Sequence, residues 1–138
     1  MHFEISVDID APAETVWNLL KDVESWPEMT ASITTVEILD KPFALSSRAR
    51  VSQPKLPEAV WTVTAFTENK TFTWETSAAG VTTTAAHDII PKPDGTVSVR
   101  LTLDQKGALA PVVSVLTGRL TRRYITMEAN GLKAKAEQ

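Results

Sequence analysis

Residues 2–17 read HFEISVDIDAPAETVW, and this stretch contains a change from one regular structure to another. Its first half alternates apolar and polar side chains, with the apolar ones at Phe3, Ile5, Val7 and Ile9. An alternation of period two is typical of a strand with one buried and one hydrated face. Pro12 then suits the first position of a helix, and Glu14 complements the positive end of the helix dipole. The stretch therefore predicts a strand that leads directly into a helix.

The helix that begins near Pro12 is short and amphipathic. Because successive helical residues turn by about 100°, one stripe of its surface carries Ala13, Val16, Leu20 and Val23, with Leu19 at its edge. Burial of this stripe is expected to hold the helix in place. Pro27 is expected to end the helical region.

Beyond Pro27 the alternation of period two returns and predicts six more strands. They cover Ile33–Leu39, Arg48–Gln53, Glu58–Phe66, Thr71–Thr76, Val81–Ile90 and Thr96–Gln105. Turn-forming segments such as Pro93-Asp94-Gly95 separate them. Because these connections are shorter than the dozen or more residues of a parallel crossover, neighbouring strands are expected to be antiparallel.

The last predicted element is a long helix that begins at Ala110-Pro111. About 25 residues at 1.5 Å each give a length of roughly 37 Å, enough to cross the domain. The stripe of this helix that is expected to face inward contains Val113, Leu116, Thr117, Leu120, Tyr124, Met127, Gly131 and Ala134. A curved antiparallel sheet with one helix across its open side encloses a hollow. The order of elements therefore predicts an α+β fold with a pocket for a small molecule.

The composition fits one domain over residues 1–138. A chain of this length with 43% hydrophobic residues can bury roughly two thirds of the surface that its unfolded form exposes. Cysteine is absent, which excludes disulfides and thiolate sites. The acidic, alternating start lacks the features of a signal peptide, so a cytoplasmic location is expected.

Charge and motif patterns also limit the partners that are expected. The net charge is −3 and no basic stripe is interleaved with aromatic residues, so nucleic acid is not expected as the main partner. No apolar run approaches the roughly 18 residues that span a bilayer, so stable membrane insertion is not expected. His2 and His87 are the only histidines, and neither is spaced with carboxylates as metal ligands are. We therefore expect no metal site and no cofactor.

With its elements in this order, the chain resembles the START-like superfamily that includes polyketide cyclases and dehydrases, often abbreviated SRPBCC. The resemblance is carried by Ile9-Asp10-Ala11-Pro12-Ala13-Glu14-Thr15-Val16-Trp17, followed by Leu20, Asp22 and Trp26-Pro27, and by Trp61-Thr62-Val63, Phe72-Thr73-Trp74, Gly80, His87 and Asp94-Gly95-Thr96. It implies the helix-grip fold, a seven-stranded antiparallel sheet wrapped around the C-terminal helix, with a short helical region between the first two strands. It implies no single activity, because the superfamily includes lipid carriers, hormone receptors and cyclases.

His87 is the candidate for catalysis. It lies in a predicted strand, two residues from Ala85 and Ile89. If that face is the concave one, an imidazole with an ordinary pKa of about 6.5 enters the pocket as a donor, an acceptor or a general base. The alternative is a structural histidine that bonds a neighbouring strand or lies on the hydrated face. Asp88 points to the opposite face and is not expected to orient His87.

The predicted ligand-binding residues come from the sheet and the long helix, and they are Trp61, Trp74, His87, Leu116, Leu120, Arg123, Tyr124 and Met127. Trp61, expected to share a face with Val63 and Ala65, lies on a strand adjacent to that of Trp74, and the two tryptophans either line the hollow or fill it. The phenol of Tyr124 either anchors a ligand or reaches the edge of the sheet. Arg123 flanks the helical stripe and either binds a ligand carboxylate or stays in water.

These features support three hypotheses for function. The first is a protein that binds a small hydrophobic molecule, a lipid, polyketide or aromatic metabolite, between the sheet and the helix of residues 111–135. The second is a polyketide cyclase or dehydratase in which His87 acts as general acid or base in the same cavity. The third is an interaction module, which an exposed apolar patch on the outer face of the sheet would favour. Both a monomer and a weak homodimer are compatible with the sequence.

Overall fold

The computed structural model describes residues 1–138 and contains one seven-stranded sheet and a layer of helices. The elements in chain order are β1 (His2–Ile9), α1 (Ala13–Lys21), a 3₁₀ helix (Val23–Glu28), β2 (Thr35–Ile38), β3 (Arg48–Ser52), β4 (Ala59–Thr67), β5 (Thr71–Ala78), β6 (Val81–Pro91), β7 (Val97–Lys106) and α2 (Ala110–Ala136). The predicted α+β class, the seven strands and the closing helix are confirmed. Every predicted strand agrees with the structure to within two residues at each end.

The sheet is antiparallel throughout and has the strand order β1-β7-β6-β5-β4-β3-β2. Strands β2 to β7 are joined as neighbours in chain order, whereas β1 pairs with β7, from His2 opposite Asp104 to Ile9 opposite Val97. This pairing places the start of the chain beside its last strand. The arrangement is the helix-grip fold that the resemblance implies.

An irregularity in β4 changes which side chains face inward. The register between β4 and β5 shifts between Val63 and Ala65. Ala65 is exposed, whereas Phe66 is half-buried with its ring 5.3 Å from that of Trp17. The prediction that Ala65 shares a face with Trp61 and Val63 is therefore wrong, because one extra residue in the strand reverses the alternation beyond it.

The hydrophobic core lies between the sheet and a layer built from α1, the 3₁₀ helix and the C-terminal half of α2. Trp17 is fully buried, and its indole N–H donates to a carboxylate oxygen of Glu68 at 2.9 Å. The residues that α2 contributes to the core are Ile125, Ala129, Leu132 and Ala136. The N-terminal half of α2 contributes none, so the two halves of this helix have different roles. Neither helix combines the length and apolarity that crossing a bilayer requires.

The C-terminal half of α2 is fixed by close backbone contacts. A Cβ added at Gly131 would lie 2.1 Å from the carbonyl oxygen of Met29, so only glycine lets the helix approach the end of the 3₁₀ helix this closely. Lys133 Nζ donates to the carbonyl oxygen of Asp8 at 2.7 Å, and the backbone N–H of Asp10 donates to Glu137 Oε2 at 2.8 Å. These contacts set the rotation of α2 about its own axis.

The predicted inward stripe of α2 is wrong in part. Tyr124 and Gly131 face inward as predicted, but the stripe as a whole is rotated from the buried residues by about one residue position, or roughly 100°. Leu116 is 77% exposed, whereas the buried residues of the helix are Ala110, Ser114, Tyr124, Ile125, Ala129, Leu132 and Ala136. The sequence pattern failed because the N-terminal half of α2 does not pack into the core. Side-chain hydrophobicity therefore does not decide which of its faces turns inward, and the contacts at Gly131 do.

Candidate functional site

A cavity of about 410 Å³ lies between the sheet and the N-terminal two thirds of α2. Its volume falls in the range of roughly 300–1,000 Å³ that is usual for small-molecule sites. The wall formed by the central strands contains Trp61, Trp74, Thr76, Thr83, Ala85, His87, Leu103 and Gln105. The wall formed by α2 contains Val113, Thr117, Thr121, Tyr124, Ile125 and Glu128. The hollow that the order of elements predicts is therefore present.

The cavity opens at one end of the sheet. Four of its lining residues are exposed on the outside of the protein, namely Pro57, Glu58, Ala78 and Ala79. The first pair lies between β3 and β4, Ala78 is the last residue of β5, and Ala79 lies in the turn between β5 and β6. Val113 and Thr117, in the first turns of α2, are half-buried and line the cavity as well. The mouth therefore lies between these turns and the beginning of α2.

His87 lies on the concave face of β6, 4% exposed, and lines the cavity. Its ring stacks on that of Phe72 with centroids 4.1 Å apart, and Nδ1 is 3.1 Å from the carbonyl oxygen of Phe72. Because a carbonyl only accepts hydrogen bonds, Nδ1 carries the proton and Nε2 remains an unprotonated acceptor. Burial lowers the pKa of His87 to about 4, so the imidazole is neutral at physiological pH. Both sequence interpretations hold, since the residue bonds a neighbouring strand and also faces the pocket.

Asp88 lies on the opposite face of β6, as the alternation of side chains predicts. It accepts a hydrogen bond from Thr71 Oγ1 at 2.8 Å, and its other carboxylate oxygen is 3.5 Å from an Arg100 nitrogen. These partners hold its carboxylate on the outer face of the sheet. Asp88 therefore does not orient the imidazole of His87.

Glu128 is the functional candidate that sequence reasoning missed. Its side chain lines the cavity from α2, and its carboxyl group makes no hydrogen bond or ion pair within the protein. Part of its surface is open, but this surface faces the cavity, and burial alone raises the pKa of Glu128 to about 7. A signal was present in the sequence, because Glu128 is the one acidic residue between positions 105 and 136.

His87 and Glu128 also border a second, smaller space. Together with Trp26 and Leu101 they line a side cavity of about 20 Å³ that adjoins the main one. A space of this size holds about one water molecule. A polar group of a guest, or a single water, can therefore reach both titratable side chains.

The two predicted tryptophans stand in the cavity wall and leave the hollow open. The ring centroids of Trp61 and Trp74 are 5.6 Å apart and their planes are tilted by 34°. Trp26 joins them, with its ring 5.4 Å from that of Trp74 and its indole N–H donating to the carbonyl of Leu20 at 3.1 Å. Trp26 therefore belongs to the cavity wall as well as to the core. The resulting surface suits a flat apolar guest.

Because α2 is rotated relative to the prediction, only one of its five predicted ligand-binding residues lines the cavity. Tyr124 lines the cavity with its ring, but its hydroxyl donates to the carbonyl oxygen of Pro54 and so is not a free donor for a guest. The other four predicted residues are absent from the cavity wall, and these are Leu116, Leu120, Arg123 and Met127. Thr121, which lies outside the predicted inward stripe, lines the cavity together with Thr117 of that stripe. The helix wall is thus more polar than the sequence pattern predicted.

The geometry describes a largely apolar cavity with aromatic rings and some polar side chains in its wall. The acceptor Nε2 of His87 and the carboxyl of Glu128 are the two titratable groups deep in it, while Glu58 lies at the mouth and bonds Ser52 and Arg50. No group of three or more His, Cys, Asp or Glu residues is placed to hold a metal ion. Such a cavity can hold and orient a hydrophobic guest and can exchange a proton with it.

A family model described as polyketide cyclase / dehydrase and lipid transport matches residues 1–137. The chain belongs to this family. The resemblance carried by the N-terminal signature and the sheet motifs is therefore confirmed. Membership of the polyketide cyclase / dehydrase and lipid transport family accounts for the helix-grip fold but leaves the ligand open.

Solved structures similar to this family member share its architecture over nearly its whole length. The aromatase/cyclase Zhui from Streptomyces has a TM-score of 0.80 at 17% identity, with 99% of this chain and 93% of that chain covered. A START superfamily protein from Mycobacterium smegmatis has a TM-score of 0.74 at 19% identity, with 97% of each chain covered. A hypothetical protein from Helicobacter pylori has a TM-score of 0.81 at 14% identity, with 98% of this chain and 86% of that chain covered. At these identities the likeness shows the fold alone.

Proposed function

We propose that this protein binds a small hydrophobic molecule, a lipid, polyketide or aromatic metabolite, in the cavity between the sheet and α2. The observation that carries the proposal is the cavity itself, with a volume of about 410 Å³ and 15 hydrophobic residues among the 25 that line it. Apolar surface contributes about 25 cal/mol for each Å² removed from water. A guest that buries about 300 Å² of apolar surface thus gains roughly 7 kcal/mol before the cost of ordering it.

Polar groups in the wall supply the selectivity of this binding. Nε2 of His87 accepts a hydrogen bond from a hydroxyl of the guest, because Nδ1 is already bonded to Phe72. Glu128 in its neutral form both donates and accepts. Trp61 and Trp74 favour a flat ring system. A hydroxylated aromatic or polyketide guest satisfies all of these groups at once.

The test is native mass spectrometry of the purified protein, followed by addition of the fluorophore Nile red. We expect one small molecule retained by each chain, or one Nile red bound to each empty chain. Extraction and accurate mass of a retained molecule then identify its class. A protein that carries no guest and takes up no Nile red would contradict the proposal. A single domain over residues 1–138, a cytoplasmic location and a monomeric or weakly dimeric state stay predictions.

A second candidate function is catalysis in the same cavity, and the pairing of His87 with Glu128 favours it. Two titratable groups whose pKa values are pushed in opposite directions are typical of acid–base pairs. Neutral His87 has a free acceptor nitrogen, and Glu128, with a pKa of about 7, still holds its proton in half of the molecules at neutral pH. His87 would remove a proton from a folded polyketide chain while Glu128 donates one to the departing hydroxyl. Holding the chain in the reactive geometry can supply about 7–11 kcal/mol.

The enzymatic candidate is tested with a synthetic poly-β-ketone thioester. Cyclisation and dehydration form an aromatic ring, whose absorbance reports the reaction. We expect His87→Gln and Glu128→Gln each to reduce kcat by about 10²-fold or more, because each removes one of the two groups that transfer protons. Nile red affinity serves as the control for an intact cavity. Product formation at the uncatalysed rate in the wild type would leave ligand binding as the function.

A further inference from the structure

The outward face of α2 carries aliphatic side chains that no part of the chain covers. Val112, Val115 and Leu116 are 54%, 85% and 77% exposed, and Leu109, just before the helix, is 48% exposed. On a helix, residues three and four positions apart are neighbours, so these side chains form one contiguous surface. We call Leu109, Val112, Val115 and Leu116 the apolar patch. This exposed aliphatic cluster lies on α2 and not on the outer face of the sheet, where a patch would have favoured an interaction module.

Basic residues continue the same face of α2 beyond the apolar patch. Arg119, Arg122 and Arg123 occupy the next two turns, and Lys106 precedes the helix. None of the four forms an ion pair, and the side chain of Arg122 lies over the Phe3 ring at 5.3 Å. Residues 105–127 contain no acidic residue, although the whole chain has a net charge of −3. This face therefore combines an apolar part with a concentrated positive charge.

The apolar patch borders the mouth of the cavity. Val113 and Thr117 line the cavity and alternate along α2 with the patch residues Val112 and Leu116. A Cβ added at Gly80, in the turn beside the mouth, would lie 3.4 Å from Leu109. A partner that covers the patch would therefore also cover the entrance to the cavity.

We propose that this face of α2 docks on an anionic lipid bilayer, with the apolar patch among the acyl chains and the arginines among the lipid phosphates. Stable attachment to a bilayer surface needs two weak signals together, and an apolar insertion beside a basic cluster supplies both. The purpose of this docking, to pass a hydrophobic guest between the bilayer and the cavity, rests on the proposed function. The docking itself does not.

Charge complementarity favours a bilayer over the other partners. Nucleic acid would pair with the arginines but would leave Val115 and Leu116 against phosphates and water. A symmetric dimer through this face would offer the arginines no acidic partner, because a two-fold contact sets the same surface against itself and residues 105–127 contain no acidic residue. An anionic bilayer offers phosphates and hydrocarbon side by side.

The test is co-sedimentation of the full chain with vesicles of phosphatidylcholine alone and with vesicles containing one quarter phosphatidylglycerol. We expect binding to the anionic vesicles, weakening as salt is added. We expect at least tenfold weaker binding for two double variants, Val115→Gln/Leu116→Gln and Arg119→Gln/Arg123→Gln. The first removes the apolar insertion. The second removes two basic side chains, each of which contributes roughly fivefold to binding at such a surface. Leu45→Gln is the matched control, because Leu45 is 60% exposed in the turn between β2 and β3. It should bind like the wild type.

Three results would overturn the docking proposal. The first is no sedimentation of the wild type with either vesicle, and the second is equal sedimentation of wild type and Val115→Gln/Leu116→Gln. The third is a wild-type dimer that this variant converts to a monomer. The second result would indicate a general surface for polyanions, whose binding depends on the arginines alone. Nile red binding without vesicles separates this proposal from the proposed function, because the patch residues are absent from the cavity wall and their variants should keep full probe affinity.

Discussion

His87 on β6 and Glu128 on α2 border the same cavity from opposite walls. Burial acts on both side chains and favours the neutral form of each, since it lowers the pKa of His87 to about 4 and raises the pKa of Glu128 to about 7. In a weakly acidic solution the interior of the cavity therefore carries no charge from either group. A neutral interior lined by aromatic rings is what a hydrophobic guest requires.

Replacement of Glu128 by Gln should stabilise the protein at alkaline pH. The folded-state pKa of Glu128 is about 7 against an ordinary value of 4.5, so the folded state holds its proton longer than the unfolded state. The contribution of neutral Glu128 to the free energy of unfolding is fully present below pH 4.5 and is lost as the pH rises to about 7. A shift of this size corresponds to at most about 3 kcal/mol. Urea unfolding should show Glu128→Gln more stable than the wild type at pH 8 and equal to it at pH 4.

His87 should titrate near pH 4 and carry its proton on Nδ1, which NMR of the ¹⁵N-labelled imidazole measures directly. Its folded-state pKa lies below the ordinary value of 6.5, so stability falls as the pH decreases from 6.5 to about 4. His2 is the internal control, because its exposed ring bonds Asp104 and Glu4, which raise its pKa. The two buried groups have opposite slopes between these limits. In Glu128→Gln the free energy of unfolding should therefore fall by roughly 3 kcal/mol on acidification, whereas in the wild type the two opposite contributions largely cancel.

Gly131→Ala should destabilise the fold, whereas Gly118→Ala should not. A Cβ at position 131 meets the Met29 carbonyl oxygen at 2.1 Å, so the backbone must move, at a cost of about 3 kcal/mol. A Cβ at position 118 meets only Phe3, at 3.9 Å, and alanine is favoured over glycine in a helix by about 1 kcal/mol. Thermal unfolding of the two variants makes the comparison. Equal melting temperatures would show that α2 is not fixed at Gly131.

Tyr124→Phe should leave the fold intact and lower its stability by about 1 kcal/mol, because the Pro54 carbonyl loses its donor. The ring stays in the cavity wall, so Nile red affinity should change by less than about twofold. Thr126→Ala is a control on the outer side of the same helix, where the hydroxyl bonds only the Arg122 carbonyl. A tenfold loss of probe affinity in Tyr124→Phe would instead assign the hydroxyl to the binding site.

The sequence predicted the elements well because each strand has one buried face. Period-two alternation and turn chemistry located the strands to within two residues, and the closing helix followed from its length and its start at Pro111. The interruption of β4 could not be predicted in this way. A bulge adds one residue without changing the composition of the strand, so only the pairing of Phe66 with Phe72 reveals it.

The helix wall of the cavity was the least predictable part of the site. Wheel analysis assumes that the most apolar stripe is buried, but Leu116 of that stripe lies outside, whereas Thr121, which is not part of it, lies inside. A surface that lines a cavity is not packed, so no packing energy selects apolar residues there. The rotation of α2 depends instead on the contact of Gly131 with Met29, which is distant in the sequence. Glu128 was missed because the same rotation of α2 brings its side chain into the cavity wall, although it lies outside the predicted inward stripe.

Titration of Nile red into wild type and Thr83→Phe/Thr121→Phe tests the central claim most directly. The two substitutions fill the cavity from opposite walls, and Thr102→Phe adds the same ring on the outer face of β7 as a control. We expect one saturable site in the wild type and in Thr102→Phe, and at least a tenfold loss of affinity in the filled variant with its fold retained. Equal affinity in all three proteins would show that the cavity between the sheet and α2 is not the binding site.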